Sequence, residues 1–427
     1  MANLRRQVSR ENEAQRNIET IGFPNNISSF FRRFRSYDNL LLHGSGAERE
    51  SALWFWLRRL FLDEQLFGRP VIVISSKSDP ADRLLDAIDE GSLPCVRSML
   101  KISVGTPEYN PFLELPPENI RQAVLAIARH DESIHMDLWD NALFQAVCDT
   151  LVENGYVISL DNLAAIFRNA GARSGAFLSD LLSTSGREYE ALSARRNPER
   201  VAEMNSIFSS LQRKWKCYAA GRPAEERHSL YELVKQKSET RGHMPFVYFS
   251  IKPQASMEIL ECLAQELRAI SMFGDPILVI DSVDLRQRAA GTDFYDYITT
   301  SHNLTLTLTA DDCTALIPGA GDEGELDKIL AQYGFTMVLL NGTKSVEKLT
   351  KTVGTYTRLV LEEGTGITRE FLEIFTFDNP RHEDQHIREV SDTLRIRFED
   401  MDQLRGRQCY VCEGSNITLY TNMNFFR

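Results

Sequence analysis

Residues 39–61 read NLLLHGSGAERESALWFWLRRLF and carry the clearest fold signal of the chain. An apolar run from Asn39 to His43 predicts a short strand, the glycine turn Gly44-Ser45-Gly46 ends it, and the periodicity of Ser51 to Phe61 predicts a helix. The following run, Val71 to Ile74, is apolar and β-branched, as in a fully buried strand. Strand, turn, helix and strand in this order predict a parallel sheet that is covered by helices.

Working outward from this segment, we divide the chain into four predicted parts. These are an N-terminal arm (1–35), the first half of an α/β core (36–115), an all-α insertion domain (116–242), and the second half of the core with a C-terminal hairpin (243–427). The insertion is predicted because residues 116–242 hold almost no strand signal, and glycines at 155, 171 and 175 and the run Gly221-Arg222-Pro223 separate their helical segments. One such helix is predicted from Asp137 to Glu153, with an apolar stripe that includes Leu138, Ala142, Leu143, Ala146 and Leu151.

The second half of the core returns to alternating strands and helices. Its predicted strands are Phe246 to Ile251, Ile277 to Ile280, Leu304 to Leu308 and Phe335 to Leu340, and its predicted helix runs from Met257 to Met272. Near the C-terminus, Cys409 to Cys412 and Ile417 to Tyr420 flank Glu413-Gly414-Ser415-Asn416. This spacing predicts a β-hairpin that closes the sheet.

Composition limits the classes of function that remain. The chain has 427 residues, of which 43% are hydrophobic and 25% charged, as in ordinary globular proteins. It lacks a predicted transmembrane segment and a secretory signal, and its seven cysteines are odd in number and scattered, so a bacterial cytoplasmic location is expected. The net charge of −12 and the shortness of the basic runs (residues 32–35, 58–59 and 213–216) make DNA an unfavourable main ligand.

The turn at Gly44 can be compared with a phosphate-binding loop, G-x-x-x-x-G-K-[ST], whose backbone N–H groups surround phosphates and whose lysine reaches the β- and γ-oxygens. In Gly44-Ser45-Gly46-Ala47-Glu48-Arg49-Glu50-Ser51, the first glycine and the final serine fit this motif. The second glycine is replaced by Arg49 and the lysine by Glu50. Asp281 ends a buried strand, where such proteins hold Mg²⁺, and the next residue is Ser282 instead of a catalytic glutamate.

Each of these features is weak alone, since an ordinary glycine turn or an apolar strand ending in Asp would explain it, but their order along the chain is specific. From about residue 38, the chain resembles the TraG/TraD-type coupling ATPases of conjugation and type IV secretion. The segments that carry the resemblance are Ile72-Val73-Ile74 with Lys77-Ser78-Asp79, Tyr109-Asn110-Pro111-Phe112, Asp137-Leu138-Trp139, Ser159-Leu160 with Leu163, PILVID (276–281), TLTLTADD (305–312) and FTMVLLNGTKSVEKLTKTVGTYT (335–357), whose last helix would end at Gly354-Thr355.

The resemblance implies a RecA-like P-loop core with an inserted all-α domain. The departures from it imply a degenerate site, because the family's loop lysine, second glycine and catalytic glutamate are replaced and its N-terminal transmembrane pair is missing. We therefore expect no catalytic residues, no metal site and no tightly bound cofactor, and weak binding of ATP and Mg²⁺ stays open. The expected remnant of the nucleotide site consists of Gly44, Gly46, Arg49, Glu50, Ser51, Asp281 and Ser282.

These expectations favour a pseudo-ATPase that serves as a structural or adaptor subunit of a secretion or conjugation apparatus. Its expected partners are apparatus proteins, among them an active ATPase, and it would be recruited to the inner face of the inner membrane without inserting into it. Two alternatives remain: a divergent ring ATPase that drives translocation, with Arg49 or a partner's residue supplying the missing cation, and a cytosolic substrate-binding module.

Two other pairs of residues receive simpler interpretations. Cys409 and Cys412 lie three apart on a predicted strand, so their side chains face opposite sides and a zinc site is not expected. Trp54 and Trp56 lie two apart on a predicted helix and should also diverge. We expect one tryptophan in the core and the other available to a partner.

Overall fold

The structure is a computed structural model, and it describes residues 2–22, 25–26, 31, 34, 38–77, 79–104, 109–132, 134–172, 176–214, 228–251, 257–283, 292–301, 303–311, 333–340, 349, 354–364, 384–404, 408–421 and 423–424. Its helices are α1 (Ala2–Arg16), α2 (Gly46–Leu62), α3 (Asp79–Asp89), α4 (Pro117–Ala128), α5 (Asn141–Glu153), α6 (Leu160–Ala172), α7 (Ala176–Thr184), α8 (Glu188–Arg196), α9 (Pro198–Lys214), α10 (Leu230–Glu239), α11 (Met257–Ile270), α12 (Asp293–Thr300) and α13 (Phe398–Asp402). Its strands are β1 (Ile18–Ile21), β2 (Asn25–Asn26), β3 (Leu40–His43), β4 (Val71–Ser75), β5 (Met99–Val104), β6 (Phe246–Ile251), β7 (Ile277–Asp281), β8 (Thr305–Ala310), β9 (Thr336–Leu339), β10 (Thr355–Gly364), β11 (Asp384–Leu394), β12 (Cys409–Glu413), β13 (Asn416–Tyr420) and β14 (Met423–Asn424).

A large sheet lies at the centre of the molecule. Its described strands follow the order β1-β13-β12-β9-β3-β8-β7-β4-β6-β5. The neighbours from β9 to β5 are all parallel, whereas β12 is antiparallel to both β9 and β13. Strands β3, β4 and β7 are buried along their whole length, as expected for parallel strands that are covered on both faces.

The order of the strands identifies the class of the core. β8 lies between β3, which leads into the Gly44 turn, and β7, which ends in Asp281. β4 flanks the far side of β7, and β9 flanks the far side of β3. In RecA-like P-loop proteins, one strand lies between the strand that leads into the glycine turn and the strand that ends in an acidic residue. The predicted fold class, a RecA-like core with an inserted all-α domain, is confirmed.

Alternate residues of the central strands enter two hydrophobic cores. Leu41 and Ile72 pack in a core that also contains residues of α4, α11 and the inserted helices. Leu40 and Val73 pack on the opposite face with residues of α2 and α3. Because side chains alternate along a strand, the uniformly apolar runs supply both cores at once. The second core fixes α2 against the sheet and thereby places its N-terminal turn at the carboxyl edge of β3.

Between β5 and β6, the regular elements of the described residues are the helices α4 to α10 and one isolated bridge. This bridge joins Tyr109 and His228 in parallel, so the chain leaves the core and returns to it side by side. α4 packs against α11 of the core, whereas α6 packs mainly against α9. The precise bounds of the insertion domain, 116–242, stay a prediction.

The helix predicted from Asp137 begins later, at Asn141. The Asp140 carboxylate accepts a hydrogen bond from the Leu143 N–H at 3.0 Å and so caps the helix at that point. Leu138 therefore lies in a turn and is 39% exposed, and Ala142 is exposed in the first helical turn. The predicted stripe was wrong at these two residues, because the capping aspartate was not recognised as the start of the helix, and it was correct at Leu143, Ala146 and Leu151, which are buried.

The N-terminal segment is part of the sheet and not merely an arm. It forms α1 and then β1, which pairs in parallel with β13 at the edge of the sheet. Arg395 holds the junction between them by donating to the backbone oxygens of Arg16 and Asn17 at 2.8 and 2.7 Å. The two-stranded ribbon of β10 and β11 was likewise not predicted.

The C-terminal hairpin, in contrast, was predicted correctly. β12 and β13 are antiparallel, and Glu413 faces Asn416 across the turn Gly414-Ser415. Gly414 has a φ of +58°, a conformation that glycine adopts readily and side chains disfavour.

Several predicted features lie outside the described residues: Ser78, Arg32-Arg33 and Arg35, Gly175, Trp215 and Lys216, Gly221-Arg222-Pro223, Asp312, and most of the helix expected to end at Gly354. Among the helices that the structure describes, none combines the length and apolarity needed to span a membrane.

Candidate functional site

The candidate site begins at the carboxyl end of β3, where the chain turns into α2. The Gly44 N–H donates to the Ala310 carbonyl at 3.1 Å, so the turn is tied to the end of the neighbouring strand β8. Gly46 starts α2 with a φ of +70°, which a residue with a side chain would adopt only with strain. Gly44 and Gly46 thus shape a tight turn at the carboxyl end of β3, as predicted from the sequence.

Glu50, which the sequence comparison places at the lysine position of the loop motif, has a cationic partner. The Lys77 Nζ, which follows the end of β4, lies 2.8 Å from Glu50 Oε1. The hydrogen bond from Lys77 lowers the pKa of Glu50, and the nearby charges of Lys77, Arg49 and Arg83 lower it further. The two side chains remain 40% and 42% exposed. Lys77, just after β4, is therefore paired with Glu50 on α2.

Arg49 replaces the second glycine of the loop motif and is only 3% exposed. Its Nε and Nη1 atoms are buried and have no hydrogen-bond acceptor within the described part of the chain. Its charge nevertheless acts on the Glu50 carboxylate. Arg49 is therefore a buried cation at the first turns of α2 with unused donors, which is unusual because buried polar groups are normally paired.

Asp281 ends β7, is 1% exposed, and has both carboxylate oxygens occupied. Oδ2 accepts from the Ser75 hydroxyl at 2.6 Å. Oδ1 accepts from the Ser282 hydroxyl at 3.0 Å and from the Thr309 hydroxyl. Three hydroxyl side chains, at or next to the ends of β4, β7 and β8, thus donate to Asp281.

Ser282, the residue after Asp281, has an unusual backbone conformation. Its φ is +55°, in the left-handed region that residues other than glycine rarely occupy. Its N–H donates to the Thr309 carbonyl at 3.1 Å, and its own carbonyl accepts from the Ser76 hydroxyl at 2.7 Å. These bonds fix the backbone, and the side chain serves Asp281.

The structure connects the two halves of the predicted remnant. Ser75 links them, since its hydroxyl accepts from the Lys77 N–H at 3.0 Å and donates to Asp281. Lys77 then reaches Glu50 on α2. Ser51, the residue at the Mg²⁺-binding serine position of the motif, is 7% exposed and lies in the same turn of α2.

Four contributors to the site were missed as site residues in the sequence: Ser75, Lys77, Arg83 and Thr309. The available signal was position, because Ser75, Lys77 and Thr309 lie at or just beyond the carboxyl ends of strands that neighbour β7. Arg83, on α3, carries no comparable signal.

The two tryptophans separate as predicted. Trp56 is fully buried and its Nε1 donates to the Thr307 hydroxyl at 3.0 Å. Trp54 is partly exposed, and the guanidinium carbons of Arg58 and Arg83 lie 5.6 and 5.2 Å from its ring centroid. Two cation–π contacts therefore flank Trp54, and its availability to a partner stays a prediction.

A second polar cluster lies where the helical insertion joins the core. Glu266 of α11 is fully buried and accepts from the backbone N–H groups of Leu230 and Tyr231, at 2.7 and 3.3 Å, and from the Tyr109 hydroxyl. Burial raises the pKa of Glu266 to about 8, although these donors act in the opposite direction. The Tyr109-Asn110-Pro111-Phe112 segment is thereby tied to the start of α10.

Glu261, one turn earlier on α11, serves the same junction. It accepts from the Asp293 N–H at 2.8 Å and lies 3.2 Å from His130 Nε2, just after α4. Burial raises the pKa of Glu261 to about 7. The Asp293 carboxylate is bound in turn by Arg129 and Arg268, at 2.9 and 3.0 Å. Within the described residues, no group of three or more His, Cys, Asp or Glu side chains is arranged to hold a metal ion.

Comparisons with known proteins give structural similarities only. No protein-family model and no curated protein sequence matches the chain. The chain is similar to the bacterial conjugative coupling protein TrwBΔN70 in complex with sulphate, with a TM-score of 0.44 and 10% identity, covering 93% of this chain and 87% of that one. It is also similar to the plasmid coupling protein TrwB in complex with ADP and Mg²⁺, with a TM-score of 0.43 and 11% identity, covering 90% and 84%. A TrwB complex with a non-hydrolysable ATP analogue gives 0.40 and 12%, covering 86% and 91%. Similarities of this size carry no functional assignment.

Proposed function

We propose that this chain is a catalytically degenerate P-loop protein, a pseudo-ATPase, that acts as a structural or adaptor subunit of a conjugation or type IV secretion apparatus. The observation that carries the proposal is the ion pair between Lys77 and Glu50 at the former lysine position. The order of sequence motifs supports the choice of apparatus.

The electrostatics at position 50 oppose tight binding of a nucleotide. A lysine ammonium ~4 Å from a phosphate contributes about 4 kcal/mol at an effective dielectric constant near 20. Glu50 removes this attraction and adds a repulsion, and the loss is on the order of three powers of ten in affinity even after halving for solvent screening. Lys77 could restore the attraction only by breaking its ion pair with Glu50, which has a cost in free energy.

The state of Asp281 opposes metal-assisted hydrolysis. A hydrated Mg²⁺ would have to reach a buried carboxylate that already accepts three hydrogen bonds, from Ser75, Ser282 and Thr309. Ser282 offers no carboxylate to orient an attacking water. The proposal therefore assigns the chain a role in assembly, without the hydrolytic step, and disfavours the divergent ring ATPase.

The magnesium dependence of ATP binding tests the proposal. We expect isothermal titrations with ATP to give the same weak or undetectable binding in MgCl₂ and in EDTA, and Asp281→Asn to leave both unchanged. Asp296→Asn, on the exposed side of α12, is the matched control. A magnesium-dependent gain in affinity that Asp281→Asn abolishes would show a working nucleotide site and overturn the proposal.

A further inference from the structure

The inserted helices α5 to α9 form a compact group, which we call the helical group. They pack mainly against one another, and their main contact outside the group is with α4. Aromatic rings stack in the interior of the group, where the ring centroids of Phe144 and Phe167 lie 5.9 and 5.3 Å from that of Phe208. α4 and α10, in contrast, pack against α11 of the core. The helical group is therefore joined to the core mainly through the ends of α4 and α10.

Glu266 of α11 holds the start of α10. Its Oε1 accepts from the N–H groups of Leu230 and Tyr231 at 2.7 and 3.3 Å, and its Oε2 accepts from the hydroxyl of Tyr109, where the chain leaves the core. Glu266 and Tyr109 are fully buried, so these hydrogen bonds take the place of hydration. Among the described residues, the titratable groups that face Glu266 are Tyr109 and, on α11 itself, Cys262.

Glu261, five residues earlier on α11, holds the end of α4. Its Oε1 lies 3.2 Å from His130 Nε2, and its Oε2 accepts from the Asp293 N–H at 2.8 Å. Besides His130, the charged groups that face Glu261 within the described part of the chain are Arg129 next to α4, Asp293 of α12 and Arg268 of α11. α11 therefore presents one buried carboxyl group to the end of α4 and another to the start of α10.

Burial makes both contacts depend on a proton. It raises the pKa of Glu261 to about 7 and that of Glu266 to about 8, from 4.5 for an unperturbed glutamate. A carboxyl group that is released into water regains the lower pKa, so the closed junction binds its proton more tightly than an open one does. The closed junction is therefore fully stabilised below about pH 4.5 and loses this stabilisation as pH rises through about 7 at Glu261 and about 8 at Glu266.

We infer that α11 is a proton-dependent latch, which holds the ends of α4 and α10 while Glu261 and Glu266 are protonated and releases them when both carboxyl groups are ionised. On release, each proton passes to solvent, the carboxylates become hydrated, and the helical group moves as one body relative to the sheet. Only the two carboxyl O–H bonds are broken. The latch lies on the face of the sheet opposite α2, so it does not depend on the proposed function of the remnant site.

Hydrogen exchange at single amides, without denaturant and corrected for the intrinsic effect of pH, tests the latch. The amides of Leu230, Tyr231 and Asp293 donate to the two carboxyl groups. We expect their protection to be lower than that of the Phe144 and Val71 amides, which report on the helical group and on the sheet. Between about pH 6 and 8 their protection should fall on the order of tenfold or more. Low urea should leave it unchanged, because a local opening exposes little surface.

Glutamine keeps a hydrogen-bond acceptor and removes the titrating proton. Glu266→Gln should abolish the pH dependence at Leu230 and Tyr231 and leave that at Asp293, and Glu261→Gln should do the reverse. Glu239→Gln, at the exposed end of α10, is the control and should change neither.

The unaltered protein tests the latch even where a variant fails to fold. Constant protection of the Leu230 and Asp293 amides from about pH 6 to 8 would overturn the inference. An unchanged pH dependence at Leu230 in folded Glu266→Gln would also overturn it. So would a loss of protection at Phe144 together with Leu230, because the helical group would then unfold instead of moving as one body.

Discussion

At the scale of single residues, the charged groups of the proposed remnant site have partners within the chain. Glu50 would repel a phosphate, but within this chain it is the partner of Lys77. Asp281 would need a cation, but here it has three hydroxyl donors. Buried carboxylates are costly unless they are fully hydrogen-bonded, so these hydroxyls should contribute to stability.

Thr309→Val tests that contribution. The substitution keeps the shape of the side chain and removes one donor to the buried Asp281 carboxylate, so we expect the free energy of unfolding to fall by about 1.5–3 kcal/mol. Denaturant unfolding measures the change. Thr300→Val, at an exposed position of α12, is the control and should change stability by less than about 0.5 kcal/mol. Equal effects of the two substitutions would contradict this account of Asp281.

At the scale of elements, α11 connects the inserted helices to the core. Glu266 holds the start of α10 and the Tyr109 hydroxyl, and Glu261 lies against His130 and Asp293. The chain therefore contacts buried carboxyl groups of α11 both where it leaves the core and where it returns from the helical insertion.

Tyr109→Phe removes a single donor from this junction. Its ring should keep its packing against Phe249, whose centroid lies 5.5 Å away. We expect a loss of about 1–3 kcal/mol in unfolding free energy, because the substitution removes a hydrogen bond to the buried carboxyl group of Glu266. Tyr156→Phe, at a residue that is 62% exposed, is the control and should be neutral. If Tyr109→Phe is also neutral in denaturant unfolding, the junction does not depend on this bond.

The same carboxylates predict how stability depends on pH. Burial raises the pKa of Glu261 from 4.5 to about 7 and that of Glu266 from 4.5 to about 8. Between pH 4.5 and these values, the folded state holds protons that the unfolded state has released. The free energy of unfolding should therefore decrease as pH rises from about 5 to 8, by on the order of 1–3 kcal/mol in total.

Denaturant unfolding at several pH values measures this slope. Glu261→Gln and Glu266→Gln should each make the decrease shallower, because a glutamine carries no titrating proton. Glu239→Gln, at the exposed end of α10, should leave the slope unchanged. A stability that rises over this pH range would show that the hydrogen-bond donors at the two carboxylates outweigh their burial.

At the scale of the whole molecule, the sequence predicted the parts that obey local patterns. The apolar runs of β3, β4 and β7 must be buried on both faces, so their periodicity identified a covered parallel sheet. The C-terminal hairpin could also be predicted, because its glycine turn is a local pattern in the sequence.

The remaining features depend on pairings between distant residues. β1 joins the sheet through β13, almost four hundred residues later, and no local pattern of Ile18–Ile21 indicates this partner. Lys77, just after β4, reaches Glu50 on α2, and the hydroxyls of Ser75 and Thr309 reach Asp281 from the ends of β4 and β8. The sequence therefore identified the glycine turn and Asp281 as parts of the candidate site, but not the side chains of Ser75, Lys77 and Thr309 that contact them.

Recruitment of the chain to an envelope apparatus is also a property of the whole molecule. If the chain is an adaptor subunit, its position at an envelope apparatus must come from contacts with other proteins. Affinity purification from native membranes should then recover an envelope component or an active ATPase of that apparatus. Recovery of the chain alone, from cells that contain the assembled apparatus, would contradict the adaptor role.

Phosphate release from MgATP is the most direct test of the central claim, that the remnant site does not hydrolyse nucleotides. The account predicts that the purified chain releases phosphate at the background rate, and that Asp281→Ala and Glu50→Gln leave this rate unchanged. Steady phosphate release above background that disappears with Asp281→Ala would contradict it, because the acid capped by Ser75, Ser282 and Thr309 would then be in use as a metal-binding residue.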